Sequence, residues 1–472
     1  MQNHLLVRVL WNSGRIDTYT IWGDVNHLIP SKFAPRRSVE LRGVHIAHNK
    51  ATAEMPTTYM PLPKQIVLPM QQHVGAACKP QVKRRAHVDV GTLVGHVDAR
   101  MTADIFSPVS GTVRQIRTIH YSDGRSSEAI IIEPDGEQTV DESVRPPEVT
   151  DYASLIEAVK HSGIVGLGGA GFPTWLKMDT DLSHIDTWLV NGAECEPYLS
   201  SDYREMVERP QTILEGIKAC LDFSGVSRSL ICIEDNKPKA IELLRTMAAD
   251  DERIGVYVLP ARYPQGASRV ILHNVTGRSV PRGGHLTDVG ALLFNVTTMS
   301  EIGRFLHDGM PLIKRRITVM GDAVERPQNL EVYIGTPIGE ILDYCGLTCD
   351  PAKVVIGGPM MGTTQVELES PIVRANSGLL AFTDEAVQTP KTTACIRCDR
   401  CIDSCPIHLA PISIQKAYLR RDMEALDKLM ADLCVECGTC SYVCPARQPL
   451  AQATRLARAA LRAEQRKARG RR

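Results

Sequence analysis

The sequence predicts a multidomain α/β fold: a small N-terminal β-sandwich or barrel, a central α/β domain, a compact α+β unit and a helical, cysteine-rich C-terminal module. Three observations predict it. The chain has 472 residues, and at roughly 150 residues per domain that suggests about three domains. Its hydrophobic share of 43% is enough for more than one buried core. The pattern also changes along the chain, from short glycine-punctuated β runs, through apolar runs alternating with helical spacing, to a last quarter holding eight of the 14 cysteines.

Residues 1–60 read as irregular, because Pro30, Pro35 and Pro56 break any long element. Residues 61–135 carry the runs Ile66-Val67-Leu68, Val88-Asp89-Val90, Thr92-Leu93-Val94, Gly111-Thr112-Val113 and Ala129-Ile130-Ile131-Ile132. Gly75, Gly91, Gly95, Gly111 and Gly124 stand at the turns between them. The polar stretch 136–150 is a linker. In 151–312, Asp151 can cap a helix over 153–161. Strands follow at 187–190, 230–233 and 254–259, and a helix with proline in its first turn covers 238–247. Alternating strands and helices imply an α/β layer. Residues 313–365 form the α+β unit, 385–450 the cysteine module, and 451–472 a basic tail. That tail reads as a solvated, fraying helical end, or as a segment drawn to anionic lipid or an acidic partner.

Lys+Arg and Asp+Glu both number 54, so no broad basic surface and no nucleic-acid partner are expected. No run of about 18 apolar residues suggests a transmembrane segment. The start lacks the basic-then-apolar plan of a signal peptide. Clustered cysteines then fit thiolate metal ligands in a reducing compartment better than a disulfide framework.

Two cysteine runs dominate: Cys395-x-x-Cys398-x-x-Cys401-x-x-x-Cys405-Pro406 and Cys434-x-x-Cys437-x-x-Cys440-x-x-x-Cys444-Pro445. This is the spacing of bacterial [4Fe–4S] sites, in which the fourth cysteine of each run ligates the other cluster. The expected sets are therefore Cys395, Cys398, Cys401 and Cys444, and Cys434, Cys437, Cys440 and Cys405. Two zinc sites are the alternative. The 28 residues between the runs show helical spacing, which favours an α-helical two-cluster ferredoxin over the compact β type.

Gly166-Leu167-Gly168-Gly169-Ala170-Gly171-Phe172-Pro173-Thr174 lets backbone N–H groups approach a phosphate or a planar ring. It lacks the lysine-hydroxyl ending of a Walker loop, and a flexible turn is the competing reading. Lys177 follows closely, and Asn191-Gly192-Ala193-Glu194-Cys195-Glu196-Pro197 leaves the end of a predicted strand, where α/β sheets bind ligands. Asn191 suits a heterocycle edge. Glu194 and Glu196 suit sugar hydroxyls, or are solvated loop charge.

The loop, its lysine and the Asn191–Pro197 segment resemble the FMN- and NADH-binding subunit of respiratory complex I. The whole plan over about residues 40–450 resembles the RnfC family, from the Rnf complexes that act as ion-translocating ferredoxin:NAD oxidoreductases. Gly43-Val44-His45, Ile233 to Pro238, Tyr263-Pro264-Gln265-Gly266 and Val275-Thr276-Gly277-Arg278 are further matches. The resemblance implies a central α/β flavoprotein domain, a β-grasp unit like the soluble-ligand-binding type, and a ferredoxin domain. It implies non-covalent FMN, two [4Fe–4S] clusters, and NAD(H) as substrate. Gly168, Gly169, Ala170 and Gly171 would line FMN. Phe172 and Lys177 would face nucleotide and flavin. Asn191, Glu194 and Glu196 would contact the ring and ribityl groups, with Phe172, Lys177 and Glu196 as catalytic candidates. Tyr263 and Gly266 match a loop over the flavin, and Asn295, Thr297 and Thr298 a phosphate-side segment. Where the family has an acid after Tyr-Pro-Gln-Gly, this chain has Ala267-Ser268-Arg269, which bears on nucleotide affinity or preference.

The implied protein is a peripheral component on the cytoplasmic face of the bacterial inner membrane. It would partner the other subunits of an Rnf-type complex and, indirectly, ferredoxin or flavodoxin. A soluble flavin diaphorase such as a cobalamin reductase, and a non-catalytic wiring and docking protein, are the competing readings. The hairpin tip at 97–102 has no lysine to carry a prosthetic arm, so the barrel reads as a docking module.

Overall fold

The computed structural model describes residues 42–122, 124–388 and 391–470; most of the N-terminal segment read as irregular lies outside them. The barrel-sandwich is built from two small sheets. One pairs strands Ile66–Pro69, Ser126–Pro134, Gly111–His120 and His87–Val88, and the other pairs Lys79–Pro80, Leu93–His96 and Ile105–Phe106. Ile66, Leu68, Val94, Val113, Ile130 and Ile132 fill its interior.

The central domain holds a four-stranded, wholly parallel sheet in the spatial order Ile254–Leu259, Ser229–Glu234, Thr187–Gly192, Ala291–Asn295. Both faces are covered, which is why these strands read as unbroken apolar runs. Trp188, Val190, Ile231 and Ile233 face the core shared with helices Pro210–Ser224, Pro238–Met247 and Val296–Asp308. Leu189, Leu230 and Cys232 face helix Ser268–Thr276 on the other side. Thr187–Gly192 is first in sequence and Ala291–Asn295 last, yet they are neighbours. The strand order reverses between them, opening a crevice at their carboxyl ends.

The sheet of the third unit draws strands from outside residues 313–365. Its six strands run Thr58–Tyr59, Gln328–Tyr333, Lys314–Met320, Gly378–Phe382, Lys353–Ile356, Thr363–Gln365. A central strand therefore lies beyond residue 365, and an edge strand comes from the segment read as irregular. Gly378–Phe382 is wholly buried, and its partner Lys314–Met320 is distant in sequence, so spacing alone could not connect them. Residues 42–60 are likewise strapped across the molecule: Val44 exchanges backbone hydrogen bonds with Tyr263.

The cysteine module is helical, with Arg400–Asp403, Pro411–Leu419, Met423–Lys428, Thr439–Tyr442 and Leu450–Gly470. The first turns of the basic tail are packed, with Ala453, Ala457 and Leu461 buried, while 462–464 and 466–467 are exposed. Among the described residues, no helix is long and apolar enough to cross a membrane.

Candidate functional site

The glycine loop is anchored from three domains. The Gly166 amide donates to the Phe172 carbonyl at 2.7 Å, and Gly171 to Gly166 at 3.0 Å. The Leu167 amide donates to Thr298 Oγ1 at 3.0 Å. Val74 of the barrel donates to the Gly171 carbonyl at 2.9 Å, and Arg315 of the β-grasp unit to the Leu167 carbonyl at 2.7 Å. The crown, Gly168-Gly169-Ala170, is exposed. Gly169 has φ +102°, and a Cβ there would meet nothing within 4 Å. The loop is thus a rigid base under a bare backbone surface, the shape a flat ring or phosphate requires.

The crown borders the crevice. A Cβ on Gly168 would lie 3.3 Å from Asn295 Cβ. Asn191 donates through Nδ2 to the Gly266 carbonyl at 3.1 Å and accepts the Ala193 amide at 3.0 Å. Asn191, Asn295, Gly168 and Gly266 are brought together from four separate segments. Lys177 lies beneath: its ammonium donates to the Leu293 carbonyl at 2.8 Å and stands 5.0 Å from the Phe294 ring centre. Burial lowers its pKa to about 8. Phe172 is half-buried beside the crown.

Other expected contacts are committed to protein. Glu194 accepts the amides of Asp202 at 2.7 Å and Tyr203 at 3.3 Å, with Lys50 Nζ at 3.7 Å; burial raises its carboxyl to about 7. It caps helix Ser201–Glu208 and is not free to meet a sugar hydroxyl. Asn295 and Thr297 each donate to Asp202 at 2.7 Å. With Thr298, they secure the helix start and the glycine loop. Glu196 accepts Met360 N at 3.1 Å and Tyr263 OH at 3.3 Å, and burial raises it to about 7. Sequence reasoning missed Lys50, Asp202 and Lys237. Lys237 is buried and donates to the Ala193 carbonyl at 2.5 Å; its place in the matched Ile233–Pro238 stretch was the available signal. For Lys50, nothing local distinguished it.

The cysteines gather into two rings. Cys405, Cys434, Cys437 and Cys440 surround one small void. Cys395, Cys398, Cys401 and Cys444 surround another. Each ring takes one cysteine from the other run. Apolar side chains such as Leu409 and Ile412 complete the walls. Among the described residues, no three His, Cys, Asp or Glu side chains converge on a position for a single metal ion. Four thiols around a void suit a cube and not a zinc ion. Amides of Arg397, Leu409, Glu436 and Gln448 donate to Cys395, Cys405, Cys434 and Cys444 at 3.3–3.4 Å. Arg397 and Asp399, like Glu436 and Gly438, have positive φ, so both runs turn by the same left-handed steps.

One contact joins crevice and cysteines. Tyr263 OH donates to the Cys437 carbonyl at 2.7 Å, and Tyr263 also donates to Glu196. A Cβ on Gly438 would lie 3.0 Å from the Met360 carbonyl. The inner ring thus abuts the loop that closes the crevice, whereas Cys395 and Cys398 of the outer ring are exposed.

A switch-point crevice with a bare glycine crown, beside paired thiol rings, defines a flavin and iron–sulfur electron-transfer protein. Family models agree in order along the chain: "RnfC Barrel sandwich hybrid domain" at 40–137, "Nuo51 FMN-binding domain" at 159–304, "SLBB domain" at 316–364 and "4Fe-4S dicluster domain" at 394–448. The RnfC-type component of the Na(+)-translocating ferredoxin:NAD(+) oxidoreductase complex of Acetobacterium woodii is 38% identical over 81% of this chain and 87% of its own length. Its counterpart in the proton-translocating ferredoxin:NAD(+) oxidoreductase complex of Clostridium ljungdahlii is 38% identical over 78% and 82%. The counterpart in the ion-translocating oxidoreductase complex of Rhodobacter capsulatus is 36% identical over 85% and 79%. The chain belongs to this RnfC family. An NAD+-reducing [NiFe]-hydrogenase structure, at 16% identity and TM-score 0.47 over 65% of this chain and 60% of that one, is too slight a likeness to bear on function.

Proposed function

We propose that this chain exchanges electrons between NAD(H) and the other subunits of an ion-translocating ferredoxin:NAD(+) oxidoreductase, as a peripheral component on the cytoplasmic face of the bacterial membrane. The observation that carries it is the shared wall. Tyr263 closes the crevice and touches Cys437 of the inner thiol ring, so the two redox sites are adjacent by construction.

The crown Gly168-Gly169-Ala170 with Gly171 would hold FMN, with Asn191 and Gly266 at the ring edge and Phe172 at the open mouth. Cys405, Cys434, Cys437 and Cys440 would hold the inner [4Fe–4S] cluster, and Cys395, Cys398, Cys401 and Cys444 the outer one. When bound, the flavin exchanges a two-electron hydride with the nucleotide and single electrons with the clusters. The chain's own residues position these groups. Lys177, fixed by the Leu293 carbonyl, sets a buried cation under the crevice. Glu196, with its carboxyl near 7, can hold or release a proton at its Oε atoms around neutral pH. The exposed outer ring is where a partner protein takes or delivers electrons.

Anaerobic isolation of the full chain tests this. Flavin absorbance that NADH bleaches, alongside acid-labile sulfide, is the expected result. Iron without flavin would leave a wiring protein instead. Purification from the native membrane with no co-eluting integral subunits would overturn the place in a complex.

A further inference from the structure

A second cleft lies between the α/β domain and the C-terminal helix. Its volume is about 550 Å³, within the roughly 300–1,000 Å³ of sites that take cofactor-sized molecules. Arg269, Gly283, Gly284 and His285 line one side, and Arg458, Arg462 and Arg466 the other. The three helix arginines recur every four residues, so they stack along one face of Leu450–Gly470. The buried Ala453, Ala457 and Leu461 stop that helix from turning its cationic face away.

The cleft lining holds four guanidinium groups and one carboxylate, with Cys434 of the inner ring at its edge. Arg458 is paired with Glu436 at 2.5 Å. The lining carboxylate, Asp432, is already taken by Arg282 at 2.9 Å. Arg462 hydrogen-bonds the Asp432 carbonyl at 3.2 Å and feels Asp432 and Glu436 at longer range, and Arg466 makes no salt bridge among the described residues. Arg269 is held by the carbonyls of Val280 at 3.0 Å and Gly284 at 3.1 Å. Those bonds fix its guanidinium at the wall without neutralising it. Such crowded guanidinium groups favour an oxyanion, phosphate above all.

Position narrows the ligand. Arg269 is the second residue of helix Ser268–Thr276 and follows Gly266 by three positions; the Gly266 carbonyl is held by Asn191 at the crevice. A dinucleotide with its nicotinamide at the glycine crown can extend its adenosine end along this wall. In Rossmann-type dinucleotide sites an acid meets the ribose 2′-hydroxyl of NAD, whereas an arginine accommodates the 2′-phosphate of NADP, and the same charge logic holds wherever that ribose is bound. Here Ser268 supplies no carboxylate and Arg269 stands next to it. We propose that this cleft binds the 2′-phosphate of NADP(H), so that this chain takes NADP(H) as well as NAD(H). The inference rests on the nucleotide's docking at the glycine crown.

Calorimetric titration of adenosine 2′,5′-bisphosphate and of 5′-AMP into the iron-loaded full chain tests it. The bisphosphate should bind about tenfold or more tightly than AMP, a gap of about 1.4 kcal/mol or more. Arg462→Glu with Arg466→Glu should erase that gap, and Arg462→Lys with Arg466→Lys should retain most of it. With the intact chain, NADPH should bleach the flavin, and its KM should rise in the glutamate variant while kcat holds. Equal affinity for both adenosines overturns the proposal, as does a glutamate variant that discriminates like the parent. Pyrophosphate binding as tightly as the bisphosphate also overturns it, by showing a general anion site. Tight binding of poly-glutamate without discrimination between the adenosines assigns the cleft to an acidic protein instead. The adenosine probes need no flavin, so loss of the flavin reading would appear separately, as missing flavin absorbance. If the double reversal lowers iron content, Arg466→Ala, at an exposed position, carries the comparison.

Discussion

Gly169 has φ +102° with open space above it, so the crown stays bare only while that residue has no side chain. Gly169→Trp should expel FMN while iron content stays near normal. Unchanged flavin content in the purified variant would remove the loop from the flavin site. His73 works one layer below, in the barrel segment that buttresses Gly171. Burial, then Arg374, lowers its pKa from 6.5 to about 4. The folded state therefore holds the ring neutral, and the proton prefers the unfolded chain. Its contribution is complete above pH 6.5 and is lost as pH falls towards 4, by at most about 3 kcal/mol. The unfolding midpoint should drop across that window, and His73→Gln should flatten the drop.

At the scale of elements, each cysteine run closes its ring with a residue from the other. Cys405→Ser should therefore damage the ring of Cys434, Cys437 and Cys440, and Cys444→Ser the ring of Cys395, Cys398 and Cys401. Each variant should lose about half the iron, with distinct EPR signals surviving. Identical residual spectra would contradict the crossed arrangement. Cys398→Ala, at the exposed ring, should block electron exit yet leave NADH-to-flavin reduction intact in stopped-flow absorbance. Spacing was enough to read these elements, because each half-ring is a local turn that its own short segment dictates.

For the whole molecule, the α/β domain is clamped to the β-grasp sheet by a buried ionic network. Glu205 pairs with Arg316 and lies 3.9 Å from Arg209, which also pairs with Glu331. Burial would raise the Glu205 carboxyl, but Arg316 and Arg209 outweigh it and hold it below its ordinary range. Glu205→Ala strands Arg316 in the interior and should cost about 3–5 kcal/mol. Calorimetry should then show the two domains unfolding at a lower temperature. A midpoint within a degree or two of the parent's would mean that the network is not what joins them.

The domain order, the two cysteine runs, the glycine loop and the strand that carries Asn191 were legible in the sequence alone, because each is a signal carried by near neighbours: a fixed spacing, a glycine cluster, an apolar period. The tertiary structure alone decided that Glu194 caps a helix and pairs with Lys50, and that Gly378–Phe382 pairs with Lys314–Met320 inside one sheet. It also decided that Tyr263 touches the inner thiol ring and that four arginines face one cleft. These depend on which distant segments share a wall, and only the packed molecule sets that.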